Sequence, residues 1–467
     1  MALAHLAYAE VFSGMDEARQ HAQAAVELAE TLGTQTGLMS ALVSRAQSRW
    51  GTNAGTADAQ RAFELASRGT DLEMLSRTTI SLSNSYQSAG QYVWAAAATE
   101  SSFATLRDGA AYNEAAIIGS VCTRWCLALG RWDTARVLLR QLLPMARSRS
   151  AAGSVRCAAA ILAALEGDLT AAELHPRRAE ELMPLAVPVG DDLLEAQIRV
   201  SLSLGHPERA LTLIEAAMQE AVEIDPVTAD EYLHWAAQAA ADLAEKESIA
   251  GRISAVASLD RIEAIRGDQP GPFTPAGPQD LIHPAFGALH SAERTRCLGD
   301  RRAAPEAWAE ACAATHRAGM SFEHARASYF HARALLALRT NRRTATAALH
   351  TAREGAQLLG ARPLLQAVVT LAAQAHIEQQ RPRPTDGSVD AASDVDPIAA
   401  GLTGREREVL SRLLAGDTYH QVATRLFISE KTVSSHVSNI LRKTGGKSRV
   451  DLAAMVQGAK TRSAIRR

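Results

Sequence analysis

Apolar residues recur at helical spacing over most of the chain. The segment Ala210-Leu211-x-Leu213-Ile214-x-x-Ala217-Met218 shows the pattern, with its apolar positions on one stripe of a helix. Each such stripe is followed by a glycine, one to three polar residues, and another stripe rich in Ala and Leu. The turn glycines are Gly14, Gly55, Gly90, Gly130, Gly167 and Gly205, spaced by 41, 35, 40, 37 and 38 residues; a weaker return comes at Gly299 and, 42 residues later, at Asn341. Glycine supplies the left-handed backbone that ends a helix. Four or five residues after each turn stands a small residue: Ala18, Ala59, Ala95, Ala135, Ala171 or Ala172, Ala210, Ala304 and Ala345. It lets the next helix approach its neighbour closely. This period predicts helical hairpins stacked in series.

Two stretches interrupt the pattern. Residues 265–285 are dense in Pro and Gly, which predicts a loop or a subdomain boundary. Residues 379–400 hold three prolines and four aspartates with no helical period, which predicts a flexible linker. The expected organisation is a helical-repeat domain over 1–378, the linker, and a small domain over 401–467. The first part resembles a degenerate tetratricopeptide-like solenoid, with a drifting period and small residues at most of the large aromatic positions. Such an array offers a long concave surface, so binding of a protein or a small-molecule effector is expected there. Trp94, Trp125, Trp132 and Trp235 are assigned to its core. Met1 opens directly on a helical stripe with no visible cap, which suggests a shortened relative of a longer protein.

Composition agrees with an all-α fold. Apolar residues make up 47% of the 467 residues but aromatics only 4%, so the core is built from Ala, Leu and Val, which favour close-packed helices over sandwiches and barrels. No apolar run reaches the roughly 18 residues needed to cross a bilayer, and no secretory signal opens the chain. The five cysteines are too scattered for a disulfide framework. A reducing, cytoplasmic setting is expected, with no membrane association. Cys122-x3-Cys126 has the look of a metal half-site, but it lies in an apolar helical stretch without a second Cys/His pair, so both thiols are assigned to the core and no metal or other cofactor is expected.

Charge changes the picture more. Residues 401–467 carry thirteen Lys and Arg against five Asp and Glu, a net of +8, which leaves −10 on the remainder of a chain whose total is −2. A basic module on an acidic body can attract a polyanion. Within it, Thr403 and Glu406 form a capping box, followed by Val409, Leu410, Leu413 and Leu414 on one helix face and a stop at Gly416. Thr418 can cap a second, short helix that buries Val422, Ala423 and Leu426. After a tight turn at Phe427-Ile428, Ser429 caps a third helix with two faces. Val433, Val437, Ile440 and Leu441 point inward; Lys431, Ser434, Ser435, Ser438 and Arg442 lie opposite. A slim polar face of this kind can enter the major groove of double-stranded DNA. A fourth helix is expected from about Ser448.

Residues 402–456 resemble the LuxR-type DNA-binding domain. The resemblance rests on Leu402-Thr403-x-Arg405-Glu406-x-Glu408-Val409-Leu410, on Val422-Ala423-x-x-Leu426-x-Ile428-Ser429-x-x-Thr432-Val433-x-x-His436-Val437-x-Asn439-Ile440, and on Lys443 with Ser448-Arg449. It implies four helices, the third reading DNA and the fourth pairing two copies into a homodimer. By position, Ser434, Ser435 and Ser438 fall where family members approach bases, and Lys431, Thr432, Arg442 and Lys443 near phosphates. Asn439 and His436 match the motif as supports of the helix, and Asn439 is counted with the DNA-binding set. Ser434 stands where Lys is common, Tyr419-His420-Gln421 replaces Asn-Lys-Glu, and Thr444 and Gly446 replace Leu and Val. The last two put the strength of dimerisation in question more than the fold.

No enzyme is indicated. Gly446-Lys447-Ser448 lacks the first glycine of a phosphate-binding loop, because Leu441 stands there. No receiver-domain pattern, zincin motif or nucleophile elbow appears. The expected function is a sequence-specific transcriptional regulator with a helical sensor body. Two alternatives are a helical scaffold with a vestigial DNA-binding module and a truncated ATP-dependent LuxR-family regulator.

Overall fold

The computed structural model describes residues 2–12, 17–182, 190–220, 226–246, 249–267 and 272–377, and in the C-terminal region residues 409–410, 413, 419, 422–423 and 430–444. The chain divides into two compact units, Met1–Gln379 and Gln380–Arg467. Every regular element among the described residues is an α-helix, so the fold class is all-α.

The first unit runs α1 (Ala2–Phe12), α2 (Ala18–Leu32), α3 (Gln35–Ser48), α4 (Asn53–Ser67), α5 (Leu72–Ser88), α6 (Tyr92–Asp108), α7 (Tyr112–Ala128), α8 (Trp132–Met145), α9 (Arg149–Glu166) and α10 (Leu169–Leu182). It continues with α11 (Gly190–Ser203), α12 (Pro207–Glu220), α13 (Pro226–Lys246), α14 (Ile249–Arg266), α15 (Ile282–Leu298), α16 (Ala304–Arg317), α17 (Ser321–Ala337), α18 (Arg342–Leu359) and α19 (Arg362–Gln374). The second unit contributes α20 (Glu430–Thr444).

Successive helices pack on one another through the stripes read from the sequence. On α18, Ala345, Leu349, Ala352, Ala356 and Leu359 form one buried row. Larger side chains such as Leu106, Leu142 and Leu259 are fully buried, each worth roughly 1.5–3 kcal/mol. Helix starts are capped by local side chains: Thr52 accepts from the Gly55 amide, Asp71 from Met74 and Ser148 from Ala151. Gly90, Gly130, Gly167, Gly205, Gly299 and Asn341 all have positive φ at turns, as their spacing predicts. Gly55 does not. It lies inside the first turn of α4, and Gly51 makes the left-handed turn instead. Gly14 lies outside the described residues. Trp125, Trp132 and Trp235 are buried, but Trp94 is 60% exposed, against its assignment to the core. It immediately precedes the buried Ala95 and Ala96, and so falls on the outer side of α6.

The array differs from an open concave surface in one respect. Three of its earlier turns meet the starts of three later helices. At the α5–α6 turn, a Cβ on Gly90 would stand 2.0 Å from Asp280 Oδ1, just before α15. At the α7–α8 turn, a Cβ on Gly130 would stand 2.5 Å from Ser321 Oγ, at the start of α17. At the α9–α10 turn, Arg362 of α19 donates to the Glu166 carbonyl at 2.7 Å. Aromatic rings fill the seam: Tyr92 and Trp125 pack in one cluster with Phe286, Trp308 and Phe330. The Pro/Gly-rich break is pinned there as well, because Asp280 accepts from the amides of Ala276, Ile282 and His283.

Winding back in this way encloses charged groups. Glu293 on α15 is fully buried and accepts from Arg296 Nε at 2.7 Å and from Arg326. Burial alone would raise its carboxyl, but Arg296 and Arg326 hold it down at about 2. Arg296, Arg326 and Arg333 all lie within 4.9 Å of the centre of the Phe330 ring, which presents its electron-rich faces to them. Further along the interior, Arg124 Nε pairs with Glu195 at 3.0 Å, and Arg199 with the same carboxylate at 3.3 Å.

Candidate nucleic-acid interface

The second unit has its own small core. Val409, Leu410, Leu413, Val422, Ala423, Val433, Val437 and Ile440 are buried together, with Tyr419 and Leu441 packed partly against them. These come from the stretches expected to form the first three helices of the module. Tyr419, an unusual residue at its position, therefore fills the edge of this core.

α20 has the two faces its sequence predicts. Val433, Val437 and Ile440 are buried at 0, 4 and 0% exposure, at helical spacing. Ser434, Ser438, Asn439 and Lys443 are exposed. Ser438 donates its hydroxyl to the Ser434 carbonyl one turn back, at 3.0 Å, which holds the side chain close to the helix and leaves its oxygen lone pairs outward. The outcome is a narrow, uncharged polar strip on the outer surface of the helix, with Lys443 near its C-terminal end. Opposite charge at that end also suits the helix dipole. The side chains of Lys431, Thr432, Ser435, His436 and Arg442 lie outside the described residues, although the backbone of α20 carries all five.

The strip and its core lie in a segment that matches a known family. Residues 400–456 match the family described as bacterial regulatory proteins, luxR family. They form a luxR-family helix-turn-helix module. Among similar proteins, spore germination protein GerE of Bacillus subtilis (strain 168) is 52% identical over 48 residues, 10% of this chain and 65% of that protein. The DNA-binding transcriptional activator DevR/DosR of Mycobacterium tuberculosis is 44% identical over 63 residues, 14% of this chain and 29% of that protein. A nitrate/nitrite response regulator protein homolog of Haemophilus influenzae is 49% identical over 49 residues, 10% of this chain and 24% of that protein. The chain spans less than two thirds of the length of each of these relatives, and the likeness is confined to the luxR-type module.

Elsewhere, among the described residues, one group brings metal-ligating atoms together. Cys122 and Cys126 on α7 and Glu100 on α6 place their ligand atoms within 4.8 Å of one another. Both cysteines are fully buried in the apolar core around α7 and α9. A hydrogen bond that Cys122 donates to Cys126, and then burial, raise the Cys122 thiol far above its ordinary value, so it stays protonated. No helix among the described residues is long and apolar enough to cross a membrane.

Proposed function

We propose that this protein is a sequence-specific DNA-binding transcriptional regulator in which α20 enters the major groove and the helical array governs the activity of the module. The observation that carries the reading is the exposed Ser434–Ser438–Asn439 strip on a helix whose opposite face is the core of a luxR-type module. Hydroxyl and amide groups reach base edges as donors or acceptors, and the shortness of the serines lets the helix approach closely. Ser435 joins this side, and Lys431, Thr432, Arg442 and Lys443 supply contacts to the backbone phosphates. Two copies pair through the segment after α20 and place their recognition helices on two half-sites. The array, whose tetratricopeptide-like stacking gives it an inner face, takes an effector and transmits its presence to the module. The setting for this activity is the cytoplasm.

The test is selection of binding duplexes from a random pool by the full chain, followed by anisotropy titration of the selected duplex at several salt concentrations. Phosphate contacts predict a steep linear fall of log K with log salt, with a slope near one per phosphate neutralised. Failure to enrich any sequence would favour a scaffold whose DNA-binding module is vestigial. A flat salt response would remove the phosphate-contact assignment.

A further inference from the structure

A cavity of about 330 Å³ lies between α10 and α11, with the start of α12 as part of its wall. That volume, about eleven waters of liquid, falls in the range of sites that hold small organic molecules. Its floor is apolar: Pro176 of α10 and Val200 of α11 are buried, and Leu204, just past the end of α11, is half-buried. Pro176 stands inside α10, where its missing N–H costs the helix a backbone hydrogen bond, and its ring becomes part of this floor.

The polar groups above the floor differ from side to side. On α11, Gln197 donates from Nε2 to Glu180 Oε1 across the cavity at 2.5 Å. A carboxylate only accepts, so the amide must turn its oxygen away from Glu180, and that oxygen has no partner among the described residues. Ser201 donates its hydroxyl to the Gln197 carbonyl at 2.7 Å, which leaves its oxygen lone pairs open. This wall therefore presents two open acceptors. Arg209, in the first turn of α12, is exposed and makes no ion pair among the described residues. The other charged groups around the cavity face partners. Glu180 accepts from Gln197, Glu173 faces Arg177 at 3.7 Å, and His206 faces Glu208 at 3.7 Å. The charge left over is one guanidinium, whose fork suits a carboxylate. A cation would meet Arg209 with no free anion to hold it. A dianionic phosphate would stand close to Glu173 and Glu180. A monoanion with an apolar body and a hydrogen-bond donor answers the floor, the guanidinium and the acceptors together.

We propose that this cavity binds a small hydroxylated carboxylic acid of roughly ten to fifteen non-hydrogen atoms, its carboxylate on Arg209, its body over Pro176, Val200 and Leu204, and its hydroxyl on Gln197 and Ser201. The inference names the class of effector that the helical array takes, and so rests on the reading of the chain as a regulator. α10 begins just after the turn at which Arg362 of α19 donates to the Glu166 carbonyl, so a molecule held between α10 and α11 braces the layer on which α19 returns.

The experiment uses the full chain. Calorimetric titration is carried out with 4-hydroxybenzoate, 4-hydroxyphenylacetate and 3-(4-hydroxyphenyl)propionate, then with the amide and the dehydroxylated analogue of the best binder, and with acetate and inorganic phosphate. At least one hydroxy acid should bind with a Kd below about 1 mM, and its amide and its dehydroxylated analogue should each bind at least about tenfold more weakly. Acetate and phosphate should not bind. Arg209→Gln, at an exposed position, should abolish the preference for the acid over its amide. Gln197→Met should abolish the preference for the hydroxylated acid over its analogue. Circular dichroism checks that both variants remain folded. No hydroxy acid bound at about 10 mM, well above a millimolar Kd, would overturn the proposal. So would an amide that binds as well as its acid, or folded variants that keep both preferences. DNA binding measured on the same preparation separates the two readings. DNA bound without any acid bound defeats the site alone; acid bound without DNA binding defeats the regulator reading and leaves the site standing.

Discussion

Two neighbouring residues of α20 should respond in opposite ways to substitution, and this decides whether its outer strip faces nucleic acid. Ser438 is exposed, with its hydroxyl tied back to Ser434; Val437, one residue earlier, is 4% exposed in the core of the module. Ser438→Glu places a carboxylate on the strip expected to face base edges, between the phosphates that flank the groove. At a separation of about 6 Å and an effective dielectric near 20, one such pair repels by ~3 kcal/mol. Screening over a Debye length of about 8 Å removes part of this. The expected loss of DNA affinity is about 10- to 150-fold, or roughly 1.5–3 kcal/mol. The helix itself should be undisturbed, since Glu is a good helix former. Val437→Ala does the reverse. It removes two buried methyl-sized groups and leaves a small cavity, at a cost of about 2 kcal/mol. Amide hydrogens of residues 430–444 should then exchange roughly 30-fold faster, which hydrogen-exchange mass spectrometry of the full chain can read. DNA affinity is followed by anisotropy on a selected duplex. Wild-type affinity for Ser438→Glu, or a binding loss in Val437→Ala without faster exchange, would show that the helix presents another face.

Lys443→Ala should weaken binding to all duplexes alike and lower the salt slope by about one, as checked by anisotropy at several salt concentrations. Glu293→Gln leaves Arg296 and Arg326 buried without their shared anion, and a urea melt should show a loss of about 3–5 kcal/mol. Gly90→Ala adds a Cβ 2.0 Å from Asp280 Oδ1 at a backbone φ of +66°, so a loss of about 2–3 kcal/mol is expected in the same assay. Two interior groups should give opposed pH dependences. His234 is held neutral down to about 3, so its contribution to stability is lost as pH falls from its ordinary 6.5. Burial and then Glu195 push Glu231 up to about 7, so it lowers stability as pH rises from its ordinary 4.5 to that value. Between pH 4.5 and 6.5 each effect approaches 1.4 kcal/mol per pH unit and they oppose one another. His234→Leu should therefore leave stability that rises on acidification in that window, and Glu231→Gln stability that falls; melts across the pH range read both.

How much of this was legible in the chain depended on distance along it. The helix stripes, the left-handed turns at Gly90, Gly130 and Gly167, and the two-faced α20 are set by neighbours within a few residues, and periodicity reports such neighbours directly. Gly55 shows the limit even there. Its spacing from Gly90 is right for a turn, but Thr52 captures its amide and draws it into α4, while Gly51, four residues earlier, turns the chain. Trp94 shows another. Size and hydrophobicity assign it inward, but its neighbours Ala95 and Ala96 are the residues that meet the adjacent helices, and a helix cannot bury every side. On α20 the polar strip needed only the alternation of Val433, Val437 and Ile440 with serines. What remained hidden was everything set by the return of α15, α17 and α19 onto turns formed far earlier in the sequence.

That return and the charged interior explain each other. In an open array, Glu195, Arg199, Glu231, Glu323 and Arg326 would be ordinary solvated residues on an inner face, and the sequence marks them as nothing more. Once Asp280, Ser321 and Arg362 meet the turns at Gly90, Gly130 and Glu166, the same residues lose most of their water. An apolar set of similar volume would hold the two layers together at lower cost, because desolvating charge offsets much of what pairing returns. The pairing that is present is also uneven. Glu293 accepts from both Arg296 and Arg326, while neither ring nitrogen of the buried His234 has a hydrogen-bond partner. The cost falls on His234, whose ring stacks on Phe286 with neither nitrogen paired, at roughly 1–3 kcal/mol.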